Sequence, residues 1–169
     1  SIWQFVWERI IIWKANHFKK HNLFMVDIAN TGTDITTLPE FEQADVIHLH
    51  WINQGMLSLK DLRKILQSGK PVVWTMHDMW ECTAICHHAY TCDRFKTQCM
   101  HCPFLRFPGE HDLANRVFQK KKKLLANSTI HVITVSRWLE RLAKESALLK
   151  HSPIDTIPNT LSLSDFLMM

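Results

Sequence analysis

Apolar positions switch between two spacings along the chain, and the switches mark out its elements. Trp3, Val6, Trp7, Ile10 and Trp13 recur at helical spacing and predict an amphipathic helix over 2–13. Glu8 and Arg9 interrupt it, so it falls short of the ~20 apolar residues a membrane span needs. Its apolar face has two readings: packing on the core, or contact with lipid headgroups, which the tryptophans and Lys14, Lys19 and Lys20 suit. A weak strand is expected over 23–29, then turn residues at Thr31-Gly32-Thr33-Asp34. The run 46–51 is β-branched and apolar and predicts a buried strand. Over 57–67, Leu57, Leu59, Leu62, Ile65 and Leu66 give a helical stripe, with Ser58 three residues before Asp61 as a capping pair and Gly69 as the stop.

Continuous apolar character over 71–76 reads as a strand covered on both faces. From His77 to about Glu110 periodicity fades, and an irregular, cysteine-rich excursion over about 80–110 is expected. A helix over 113–126 capped by Asp112, a strand over 130–135, a helix from Arg137 capped by Ser136, and a short strand over 154–157 complete the series. Strands alternating with helices imply parallel pairing through right-handed crossovers. The expected fold is therefore α/β: a three-layer, Rossmann-like parallel sheet with helices on both faces and a cysteine-rich loop excursion. Ligands bind such sheets at the carboxyl ends of the strands, which singles out His77, Asp78, Ser136, Arg137 and Asn159, each just beyond a predicted strand.

Composition narrows the classes. With 169 residues and 46% hydrophobic content the chain can bury a core of its own. A net charge of +4 is spread among interspersed acids, so nothing resembles a nucleic-acid footprint. The dense run Lys120 to Lys123 reads as a solvated helix face. Only four glycines occur, without a phosphate-cradling Gly-rich motif. The absence of an initiator methionine suggests a fragment.

Three groups of residues carry candidate chemistry. His48 and His50 share one side of a strand, one expected to be held in the interior and the other lining a pocket with Trp51 and Asn53 at the strand's end. His77 leaves its strand at the mouth of the sheet, where Asp78 can orient its ring for hydrogen bonding or proton movement. Cys86, Cys92, Cys99 and Cys102 are spaced C-x5-C-x6-C-x2-C, with Cys82 upstream. They suit a structural zinc, a disulfide staple or plain reduced thiols; four thiolates would fill the coordination sphere, which makes a catalytic zinc less attractive than a structural one.

The runs Ala44-Asp45-Val46-Ile47-His48-Leu49-His50-Trp51-Ile52-Asn53 and Gly69-Lys70-Pro71-Val72-Val73-Trp74-Thr75-Met76-His77-Asp78-Met79-Trp80 closely resemble bacterial glycosyltransferases of family 4. The resemblance continues through Val135-Ser136-Arg137-Trp138-Leu139 and Ile157-Pro158-Asn159, and covers most of 40–166. It implies the GT-B fold, in which two Rossmann-like domains face a cleft. The chain would be part of the N-terminal, acceptor-side domain, inactive alone and lacking the C-terminal donor-binding domain. It further implies transfer of a sugar from a nucleotide-sugar donor to a glycan or lipid-linked acceptor, with retention and with no catalytic metal expected, in the cytoplasm or at the inner face of the membrane. His77 matches the histidine that reaches the donor sugar. Ser136 and Arg137 match the next strand-end motif, and Asn159 the approach to the interdomain linker. Ala84-Ile85 replaces a common glycine pair, and Thr160 stands where glycine is frequent. Two other classes remain as alternatives: a non-catalytic, metal-stapled partner-binding module, and a membrane-surface adaptor built on the tryptophan helix.

Overall fold

The computed structural model describes residues 2–160; the last part of the resemblance, 161–166, lies outside them. The elements in chain order are α1 (Ile2–Ala15), α2 (Pro39–Gln43), β1 (Ile47–Leu49), α3 (Leu59–Leu66), β2 (Val72–Met76), α4 (Leu113–Leu125), β3 (His131–Thr134), α5 (Arg137–Glu145) and β4 (Ile154–Thr156), with a short 3-10 turn at Arg94–Lys96. The four strands form one sheet in the order β1-β2-β3-β4. All pairs are parallel, with Ile47 opposite Val72, Trp74 opposite Val132 and Val132 opposite Ile154. This is the expected α/β, Rossmann-like arrangement, and it brings all four carboxyl ends to one edge.

Coverage of the sheet is uneven among the described residues. Ile47, Leu49, Val72, Trp74, Met76 and Val132 are buried and share one face by register and strand alternation. On the other face Thr75 is buried, Val73, His131 and Ile133 are half-buried, and His48 and Asp155 are exposed. A strand order that only steps forward, joined by right-handed crossovers, sends successive helices to the same side. In keeping with that, α3 contacts α4, and α5 contacts β3 and β4.

Local sequence explains where the helices start and stop. Ser58 and Asp61 form the reciprocal capping box of α3: the Ser58 hydroxyl accepts from Asp61 N at 3.1 Å and Asp61 Oδ2 accepts from Ser58 N at 2.9 Å. Asp112 and Ser136 cap α4 and α5 through Asn115 N and Leu139 N. Gly69 ends the α3 turn at φ +80°. Gly32 is required for another reason. A Cβ there would lie 2.2 Å from Ser58 N and 2.4 Å from Leu57 C, so only glycine lets this loop lie against the start of α3.

Three local expectations are corrected. Where a strand is expected over 23–29, residues 23–25 form a turn with Phe24 and Met25 exposed, and only 26–29 are buried, with a single antiparallel bridge from Val26 to Cys86. This segment makes no ladder because side chains take its amides: Glu8 Oε1 accepts from Ile28 N at 2.6 Å and Ala29 N at 2.7 Å. That same anchoring turns α1 over. Glu8, Arg9 and Ile12 face inward while Trp3 is 78% and Trp7 54% exposed, so the tryptophan face does not pack on the core. Within the lysine run, Lys121 is buried. Its ammonium donates to Trp80 O at 2.5 Å and Thr83 O at 3.1 Å, and lies 3.1 Å from the centre of the Trp80 ring. Burial pulls its pKa down to about 7, against the pull of Glu81 and nearby cysteines.

Candidate functional site at the strand rim

Four parallel strands place His50, His77, Ser136 and Asn159 along the same edge, beyond β1, β2, β3 and β4 respectively. The first two meet directly. His50 Nδ1 and His77 Nε2 are 2.9 Å apart, with ring centres at 5.3 Å and planes inclined by 27°. Behind them His48 packs against His50 with ring centres 4.3 Å apart and planes tilted by 38°, and shares a hydrogen bond with Thr75 Oγ1 at 2.8 Å. Neither histidine of this strand and its end is held in the interior: His48 and His50 are both exposed, and His48 is fixed by its hydrogen bond to Thr75. Partial burial and repulsion from His50 lower its pKa. A neutral imidazole can donate from one nitrogen and accept at the other, so the His50–His77 contact pairs a donor nitrogen on one ring with an acceptor on the other.

Asp78 does not orient His77, and here the expected pairing is corrected. Its Oδ1 accepts from Trp80 N at 2.7 Å and its Oδ2 pairs with His87 Nδ1 at 2.8 Å. The opposite nitrogen of His87 meets Asp27 Oδ2 at 2.6 Å. Asp27 also pairs with Arg9, whose guanidinium donates to Leu23 O at 2.6 Å and Val26 O at 2.9 Å. Burial works against a charge on His87, but its bonds to Asp27 and Asp78 outweigh burial and take the pKa up to about 9. The imidazolium is thus a clamp that fixes the loop after β2 to the segment before β1. Trp51 lies over it with ring centres 6.2 Å apart.

Beside the four cysteines the sequence offers His87 only as a spare ligand place, and it does not single out Asp27 and Arg9 as its support. The usable signal was weak: an acid inside an apolar run and a charged pair inside an apolar helix, both of which burial makes expensive without partners. Asn53 shows the opposite condition. It is 2% exposed, and neither its Oδ1 nor its Nδ2 has a hydrogen-bond partner, which is uncommon for a buried amide.

The remaining candidates spread along the rim. The Ser136 hydroxyl is occupied as the cap of α5 at 3.2 Å from Leu139 N. Arg137 is exposed on the first turn of that helix, and Asn159 is exposed beyond β4. The cysteine excursion reaches the same end: the His88 ring stacks on Trp138 at 5.7 Å and 18°.

The excursion itself is well packed, with Ser146 Oγ donating to Cys82 O at 2.7 Å and Ala147 N to Phe95 O at 3.0 Å. Cys86, Cys92, Cys99 and Cys102 line one narrow cavity of about 20 Å³, room for a single water. All five cysteines are free. Burial raises the Cys86 thiol and takes those of Cys99 and Cys102 up to about 12. Among the described residues no three His, Cys, Asp or Glu side chains stand together in a way that could hold a metal ion, so the geometry lends no support to a zinc site.

A family model described as Glycosyltransferase Family 4 matches residues 15–165. The chain belongs to glycosyltransferase family 4. It is also 32% identical over 87 residues to the "Putative colanic acid biosynthesis glycosyl transferase WcaC" of Escherichia coli (strain K12), a match covering 47% of this chain and 22% of the relative. No solved structure gives a significant match. The family 4 assignment and the parallel α/β sheet agree, and the sheet carries the imidazole pair at the carboxyl edge, where sheets of this kind receive ligands.

Proposed function

We propose that the strand rim is the acceptor-side wall of a glycosyltransferase cleft. In the complete protein a sugar would pass from a nucleotide-sugar donor to a glycan or lipid-linked acceptor. The observation that carries this reading is the His50–His77 pair, polar and exposed at the carboxyl edge of a parallel sheet in a family 4 chain. His77 is proposed as the catalytic residue, using its free nitrogen on a sugar hydroxyl or the phosphate-side oxygen while His50 sets which nitrogen bears the proton. Trp51 offers an exposed ring for a sugar face, and Asp78, Arg137 and Asn159 are proposed to line the approach, with Asn53 buried behind it and Ser136 holding the start of α5. The donor's nucleotide would be held by a C-terminal domain facing this rim. Five free thiols support a reducing, cytoplasmic setting, and the exposed α1 face supports contact with the inner side of the membrane. No helix among the described residues is long and apolar enough to cross one.

The test is turnover by the complete protein carrying His77→Ala, measured beside its thermal melting. Turnover should fall by roughly 10²-fold or more, the usual scale for a general acid–base group, with melting nearly unchanged. Parallel losses in both would assign His77 a structural part. For the cysteine loop, zinc content of reduced, purified protein decides: about one per chain would support ligation by the four cysteines, and none would support packed thiols.

A further inference from the structure

The rim leaves one built surface unused. Beside α3 and α4 lies a groove of about 390 Å³. Its floor is apolar, with Val117 and Leu124 buried, while Lys60 and Arg63 of α3 and Arg116 and Lys120 of α4 line it as exposed cations. No acidic side chain lines this groove. None of the four cations belongs to an ion pair among the described residues. Spacings of three and four residues keep each pair on one side of its helix, so both walls present positive charge. Four uncompensated cations over an apolar floor suit an anion attached to something greasy.

The neighbouring helix supplies the second observation. Ile11 of α1 lines the groove, and Trp7 and Lys14, one turn to either side of it, are exposed. The outward face continues through Trp3, Val6, Ile10 and Trp13, all exposed. Between residues 2 and 25 the single carboxylate, Glu8, is buried, whereas Lys14, Lys19 and Lys20 are exposed. Indole rings prefer the headgroup level of a bilayer, and flanking lysines favour anionic lipid.

We propose that this face docks on an anionic lipid bilayer, with a lipid phosphate seated in the groove beside α3 and α4 and Trp3 and Trp7 at headgroup depth. The proposal deepens the membrane contact suggested above but is independent of glycosyl transfer at the rim. Vesicle binding reads one and turnover reads the other.

Flotation of the full chain tests it, with vesicles of phosphatidylcholine alone and of an equal mixture with phosphatidylglycerol. The chain should float with the mixed vesicles and much less with the neutral ones, and salt should weaken binding. Charge near an anionic surface is worth about fivefold in binding per basic residue. The triple variant Arg63→Ala/Arg116→Ala/Lys120→Ala should therefore bind about a hundredfold more weakly. The double variant Trp3→Ala/Trp7→Ala should lose flotation as well. All of these positions are exposed, and melting curves matching the parent confirm folding. Equal flotation with both vesicle types, undiminished binding by the triple variant, or no flotation at all would overturn the proposal. So would displacement by millimolar inorganic phosphate at constant ionic strength, which would assign the groove to a free anion.

Discussion

At the scale of single residues, the informative side chains are those whose partners differ from the obvious ones. Asp78 adjoins His77 in sequence yet serves His87, because the turn after β2 folds back so that Asp78 also receives Trp80 N. The His87 clamp has a pH signature. Its folded pKa of about 9 lies above the ordinary 6.5, so the stability it contributes is complete below about pH 6.5 and is lost as pH rises through 9. Melting measured against pH for the parent and for His87→Asn isolates this effect. The difference between them should be largest near pH 6 and shrink steadily towards pH 9; a constant difference would mean the ring is not held as an imidazolium. The local order of His77 and Asp78 was legible in the sequence, but their partners were not, since both partners come from loops closed by tertiary packing.

Among elements, legibility followed the strength of local signals. Helix α3 shows it best: stripe, capping box and terminal glycine all pointed to one answer, and the structure has each of them. Replacing Ser58 by alanine should lower stability by about 1 kcal/mol, read by denaturant unfolding. Gly32→Ala should destabilise by more than that, roughly 2 kcal/mol or above, because its Cβ would strike backbone that cannot step aside. If Gly32→Ala melted like the parent, the close approach of that loop to α3 would be refuted. Helix α1 was legible as a helix but not in orientation. Periodicity locates an apolar face without saying which face the core takes, and here the binding of Glu8 to two backbone amides and of Arg9 to Asp27 decided it. The segment over 23–29 failed as a strand for the same reason, its hydrogen bonds having gone to side chains.

For the molecule as a whole, the alternation of strand and helix was enough to foresee a parallel sheet with its candidate residues on one edge, and the strand pairing agrees. What alternation did not convey is the uneven covering, which depends on strand order and not on any local pattern. That histidine-bearing face and the adjoining edge are what we propose as the cleft wall. The claim at the centre is that His50 and His77 act as one unit on the transferred sugar. A double-mutant cycle on kcat/KM of the complete protein measures this directly, using His50→Ala, His77→Ala and the pair. If the two imidazoles form one catalytic unit, the double variant should be scarcely slower than His77→Ala alone; losses that simply multiply would contradict it.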